Sequence, residues 1–326
     1  MIFEEQISRK PDRYPWTQQF IDAMWQGHWT PNEFDFKSDY HQFCTELNDE
    51  ERQIIVNTLS AIGQIEIAVK KFWSRLGDNL PHPSITDMGL VMAQVEVIHN
   101  KAYEKLLDVL QMQEAFEKNL KLDVVKGRVN YLRKHLSKVY EDDKKQYVYS
   151  LILFTLFVEN VSLFSQFYII LWFNRYRNVL KDTAQQVQYT KSEELLHAQI
   201  GIKLVQTIKA EYPKLFDQEL EDKIKHEAKE AFKAESKIID WMLGEYDAPH
   251  LNAKTLKVYV KNRINVSLNQ IGIDSCFDLS EAEIETLKDT QWMEEEVLGN
   301  AMTDFFYKRP TEYSKGGNNF DYAELF

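Results

Sequence analysis

The chain has 326 residues, a net charge of −12 and 44% hydrophobic content, enough for one large core or two small ones. It contains only 11 Gly and 8 Pro, and its heavy use of Leu, Ile, Lys, Glu and Gln favours long helices over a many-turned sheet, so an all-α class is expected. The acidic balance argues against a general nucleic-acid binder, which needs a basic face to neutralise phosphates. Cys44 and Cys276 match no zinc spacing, and the Met1 end lacks the basic-then-apolar pattern of a secretory signal. A reduced, cytoplasmic compartment is the expectation that follows.

Residues 11–31, rich in Trp and Pro, read as an irregular start. Leu47 to Leu76 then reads as helix, opened by Asn48 as a cap with acids following it. Its apolar stripe runs Ile55, Leu59, Ile62, Glu66, Val69, Trp73, so Glu66 stands where the spacing asks for a core residue. After a Pro81-His82-Pro83 break, a second helix from Ser84 to beyond Leu110 carries Gly89, Met92, Glu96, His99, Tyr103, Leu106 and Leu110 on one face. A polar, Lys- and Asp-rich region follows, in which Asp123 to Tyr140 has room for an additional helix.

A third helix, Tyr147 to Tyr176, contains Glu159. Its stretch Tyr149–Phe173 is long and apolar enough to resemble a membrane span, but Glu159, Asn160, Ser162, Ser165 and Gln166 sit in the middle of it. An ionised carboxylate facing lipid is costly, so the expectation is a buried bundle helix and no membrane. The fourth long helix, Asp182 to Tyr212, has the stripe Val187, Thr190, Glu194, His197, Gly201, Leu204, Ile208. Two or three further helices are expected over 215–300, the first with a charged, solvated outer face. The stretch from Arg309 to Phe326 turns polar and Gly-bearing, dividing the chain into a helical domain, 1–308, and a flexible tail, 309–326.

Glu96-x-x-His99 and Glu194-x-x-His197 repeat one pair of metal-ligating types, and residues three apart project from one side of a helix. With Glu66 and Glu159 each alone on a further helix, this is the set a four-helix bundle needs to hold two metal ions in its interior. By chance about one of the eight His would have an acid three places before it, so the two pairs gain their weight from the apolar stripes that contain them. Buried acids pair, protonate or bind metal, and two divalent cations would balance four carboxylates. Oxygen-rich ligation with one imidazole per ion suits iron or manganese better than zinc. The competing reading is a buried hydrogen-bond network. Tyr103 follows His99 by four and points to the same interior, where a phenol either packs or, beside a redox-active metal, donates one electron.

On these residues the chain resembles the small subunit of class I ribonucleotide reductases over essentially its whole length. The resemblance rests on EVIHNKAY from Glu96 to Tyr103, SEELLH from Ser192 to His197, WTPNEFD from Trp29 to Asp35, the lone Glu66 and Glu159, and the tail around Tyr313. It implies a ferritin-like helical bundle in which Glu66, Glu96 and His99 bind one metal and Glu159, Glu194 and His197 the other, with Glu96 and Glu194 as candidate bridges. It places Tyr103 at the radical tyrosine position, Trp29 at the relay tryptophan and Glu193 at the carboxylate that hydrogen-bonds this tryptophan. Tyr313 takes the tail position that passes the hole on, with Tyr322 as a competitor, and the residues through Phe326 resemble a docking peptide.

Two departures from the family pattern stand out: Glu66 and Glu193 occupy positions where Asp is usual. Glu66 together with a retained Tyr103 looks most like the dimanganese subclass activated by superoxide, with manganese/iron and di-iron centres as the alternatives. The resemblance further implies a homodimer, a large catalytic subunit as partner, and oxygen or superoxide as the activating oxidant. Two other functions compete: a ferritin-like dimetal oxidase or hydroxylase acting on an apolar substrate, and a metal storage protein.

Overall fold

The computed structural model describes residues 1–128 and 143–293, with the backbone alone at 64 and 66–69. The expected tail, 309–326, with Tyr313, Tyr322 and Phe326, lies outside the described residues, as do the side chain of Glu66 and most of the additional helix expected over 123–140. Among the described residues there is no strand, and the one extended pairing is an isolated bridge between Ala248 and Leu251.

The elements run α1 (Trp16–Gln26), α2 (Lys37–Thr45), α3 (Asp49–Ser74), α4 (Leu76–Asn79), α5 (Pro83–Val109), α6 (Gln113–Asn119) and α7 (residues 123–128). They continue with α8 (Lys144–Leu153), a π-helical segment (Phe154–Ser162), α9 (Phe164–Arg177), α10 (Lys181–Glu211), α11 (Gln218–Leu243), α12 (Ala253–Gln270) and α13 (Glu281–Lys288). Four long rods form the core: α3 against α5, α10 against α9 and the π segment, with α3 also on α9 and α10 also on α5. The helices α11 and α12 pack together on the outside of this bundle.

Local chemistry fixes where the rods start. Asn48 opens α3 with a capping box: its side chain accepts from the Glu51 amide at 2.9 Å, and the Glu51 carboxylate accepts from the Asn48 amide at 3.1 Å. Pro83 begins α5, where the missing N–H costs nothing. The start of α10 is held by buried Asp39 of α2, which accepts from the Thr183 amide and hydroxyl, both at 2.7 Å, and from the Asp182 amide at 3.2 Å.

Two expectations need correcting. Residues 11–31 are not irregular, because α1 lies within them, packs on α5 and buries Ile21 and Met24. The prolines at 11, 15 and 31 flank this helix and mask a short amphipathic period between them. The third long helix is not regular either: α8 and α9 are joined by nine residues of π-helix. A π turn inserts a residue into the helical frame, and such turns cluster at functional sites. Arg263 of α12 supports this one, donating from Nε to the Asn160 carbonyl at 2.9 Å and from Nη2 to Asn160 Oδ1 at 2.7 Å. The stretch that is long and apolar enough to cross a membrane is buried throughout inside the bundle.

Close approach between α10 and the π segment depends on Gly201. A Cβ there would lie 2.1 Å from Thr155 Oγ1 and 2.4 Å from its Cγ2. Gly201→Ala should therefore destabilise the fold by roughly 1–3 kcal/mol, the usual cost of overpacking. Adding Thr155→Ala should recover part of this loss in chemical denaturation. A Gly201→Ala protein as stable as the parent would show that the two rods separate freely.

Candidate metal centre

Three of the four rods deliver an acid or an acid–imidazole pair to one interior point. Because residues three apart share a helix face, α5 brings Glu96 with His99 and α10 brings Glu194 with His197. The π segment brings Glu159. One donor atom from each of Glu96, Glu159, Glu194 and His197 falls within 4.8 Å of the others, and all four residues are buried. His99 joins them, its Nδ1 lying 3.2 Å from Glu194 Oε1 and 3.4 Å from Glu96 Oε2. His197 Nδ1 lies 3.0 Å from Glu96 Oε1 and 3.7 Å from both Glu159 Oε2 and Glu194 Oε2. The structure thus brings together five of the six residues expected to bind metal, while the sixth, Glu66, is placed by its backbone on α3.

Several of these atoms are poorly served by the protein itself. Both Glu96 oxygens, Glu159 Oε2 and both ring nitrogens of His197 are buried without an aligned hydrogen-bond partner. Native interiors seldom leave such groups unsatisfied, and a set of oxygens with imidazole nitrogens fits hard or borderline cations. The electrostatics say the same. Burial, then the adjacent Glu194 carboxylate, pushes the Glu159 carboxyl well above the usual range. Burial also lifts Glu194, but its contacts with Glu159, His197 and His99 outweigh this and hold it below the ordinary value. Burial and Glu194 push Glu96 up, whereas His197 and His99 bring it down overall. Burial lowers His197, and the carboxylates of Glu159, Glu194 and Glu96 more than reverse this, raising it well above a free imidazole. Both shifts act in one direction: protons on Glu159 and His197 offset part of the negative charge of the cluster.

The other residues singled out from sequence fall around this point. Trp29 is buried and donates from Nε1 to Glu193 Oε2 at 2.9 Å; the same oxygen lies 2.7 Å from His99 Nε2. The indole also stacks near the His99 ring, with centroids 6.3 Å apart at 27°. Tyr103 is buried on the α5 face that carries Glu96 and His99, its hydroxyl 3.5 Å from Thr190 Oγ1.

Sequence reasoning missed Trp73. The helical period makes it one more apolar member of the α3 stripe, but its Nε1 donates to Glu159 Oε1 at 2.7 Å. The available signal was its position seven residues after Glu66, two helical turns along the face that already carried a ligand candidate.

Comparison with known proteins agrees with this geometry. The family model described as "Ribonucleotide reductase, small chain" matches residues 6–283. The ribonucleoside-diphosphate reductase subunit beta of Halalkalibacterium halodurans is 22% identical, with 95% of this chain aligned to 89% of that one. The ribonucleotide reductase R2 subunit from Clostridium botulinum superposes with a TM-score of 0.78 at 18% identity, covering 87% of this chain and 89% of that one. An R2-like ligand-binding oxidase with an aerobically reconstituted Mn/Fe cofactor superposes with a TM-score of 0.71 at 17% identity, over 83% of this chain and 99% of that one. At these identities the structural likeness speaks for the fold alone, a ferritin-like helical bundle. The family match covers most of the chain, and on that ground the chain belongs to the ribonucleotide reductase small-chain family.

Proposed function

We propose that this chain assembles an oxidised dimetal cofactor and delivers a radical, as an electron hole, to the large catalytic subunit of a ribonucleoside-diphosphate reductase, which reduces ribonucleotides to deoxyribonucleotides. The observation that carries this reading is the unbroken contact from Trp29 through Glu193 to His99. It links the buried cluster to a tryptophan whose sequence neighbours, His28 and Thr30, are exposed. Metal storage has no use for such a link.

Glu66, Glu96 and His99 would hold one ion and Glu159, Glu194 and His197 the other. Glu96 and Glu194 suit the shared position because each lies against both imidazoles. Two redox-active ions supply the one-electron oxidising power that side chains alone lack. Dimanganese is the favoured pair, from Glu66 occurring together with Tyr103, ahead of manganese/iron or di-iron, with superoxide or oxygen as oxidant. Glu193 Oε2, which accepts from the indole N–H at 2.9 Å, would take that proton when Trp29 gives up an electron. Tyr313, with Tyr322 as its competitor, would continue the path from the tail, and the chain would work as a homodimer. The second reading, oxidation of an apolar substrate, draws on the shared fold of the ligand-binding oxidase. It requires an apolar pocket beside Glu159, where Trp73 and Phe154 pack edge to face at 5.4 Å.

Trp29→Phe, and separately removal of residues 310–326, should abolish deoxyribonucleotide formation with the large subunit while metal content stays at the parental level. Continued turnover by either variant would end the relay assignment. Tyr103→Phe should leave both activity and a metal-centred paramagnetic signal if the metals store the hole; loss of both would assign the hole to Tyr103. Metal loading should also depend on pH. The protons on Glu159 and His197 must leave before those atoms can bind a cation, so Mn2+ affinity falls as pH falls and loading releases protons. Titration in weak buffer with an indicator dye measures this directly, and tighter binding at lower pH would contradict the protonation pattern.

A further inference from the structure

We infer that Trp73 is a positioning residue that makes Glu159 a one-oxygen donor to the metal centre, through Oε2. The inference rests on the dimetal reading above. Trp73 Nε1 donates to Glu159 Oε1 at 2.7 Å, and the indole is completely buried. The other oxygen, Oε2, is buried without a hydrogen-bond partner and lies 3.7 Å from His197 Nδ1. One oxygen is therefore committed to α3 and the other is turned into the cluster.

The indole has little freedom to release its partner. It packs edge-on against Phe72, with centroids 5.0 Å apart at 81°, and against Phe154, 5.4 Å apart at 87°. Those two phenyl rings stack on each other at 3.9 Å and 12°. The backbone of Trp73 is confined as well: a Cβ on Gly89 of α5 would lie 2.6 Å from the Trp73 carbonyl oxygen, so only glycine lets the two helices meet there.

A carboxylate beside metal ions can bind through one oxygen, chelate through two or bridge, and it changes mode easily unless an outside group holds it. A hydrogen bond from a fixed indole to a charged carboxylate is a strong version of such a hold. Glu96 provides the internal contrast, since neither of its oxygens has an aligned hydrogen bond and both face the imidazoles at 3.0 and 3.4 Å. Glu96 thus turns both oxygens towards the cluster and Glu159 one. Restricting Glu159 would limit it to one oxygen towards its ion.

The test replaces Trp73 with β-(3-benzothienyl)alanine, which keeps the bicyclic shape and substitutes sulfur for the N–H, alongside Trp73→Phe. Both proteins are loaded with Mn2+ and examined by metal analysis, thermal unfolding and low-temperature electron paramagnetic resonance. The benzothienyl protein should unfold like the parent and bind two ions, with an exchange-coupled dimanganese spectrum shifted from the parental one. A spectrum superimposable on the parent's would overturn the inference. A crystal structure of the Mn2+-loaded parent supplies the check that needs no variant. Glu159 bound through Oε2, with Trp73 still on Oε1, supports the inference, whereas Oε1 on a metal overturns it. If the parent takes up no metal, the dimetal reading fails and the inference falls with it; if the parent loads normally and the variants match it, the inference alone fails.

Discussion

Burying acids in a dry core is the constraint on which the rest of this structure depends. Glu96, Glu159 and Glu194 are 0%, 1% and 2% exposed, and an isolated carboxylate at such a depth is strongly penalised. The protein meets the cost by converging the acids on two imidazoles and letting protons stand in for cations. That solution demands rods at close quarters, which is why Gly201 meets Thr155 and Gly89 meets the backbone of α3 with no room for a side chain. It also demands a departure from regular helix, so that Glu159 can reach the same point as two Glu-x-x-His pairs. Arg263 secures that departure by bonding both the carbonyl and the side chain of Asn160.

Much of this was legible in the sequence because helical period and ligand spacing are both local. The stripe through Glu96, His99 and Tyr103 and the stripe through Thr190, Glu194 and His197 predict the inner faces of α5 and α10, and Asn48 announces the start of α3. The π segment was not legible for a physical reason. A helix buried on every side has no polar face to reveal the phase of its turns, and α8, the π segment and α9 are buried over almost their whole length. Trp73 was hidden by its chemistry. An indole satisfies an apolar stripe and a hydrogen-bond acceptor at once, so the stripe records only the first role. The short α1 was obscured by the prolines around it.

The outer ring of the site is asymmetric, and the asymmetry follows from which atoms the two indoles reach. Trp73 hydrogen-bonds a carboxylate of the cluster directly, whereas the hydrogen bond of Trp29 goes to Glu193, which in turn meets His99. Phe72 and Phe154 surround Trp73, and neither ring is readily oxidised. Trp29 instead has Tyr189 at 5.5 Å, and its sequence neighbours are exposed. Both indoles are buried and hydrogen-bonded to glutamate, but Trp73 is enclosed by phenyl rings while Trp29 lies in a segment whose flanking residues are exposed.

Glu193 serves two rings at once. Trp29 and His99 meet the same oxygen, Oε2, while Oε1 is buried without a partner. A proton leaving Trp29 Nε1 and one shared with His99 Nε2 would therefore compete for one atom rather than divide between two. A cation held by His99 would make the imidazole N–H a better donor to Oε2. Oε2 thus lies between the Trp29 indole and the His99 imidazole, two rings that stack 6.3 Å apart.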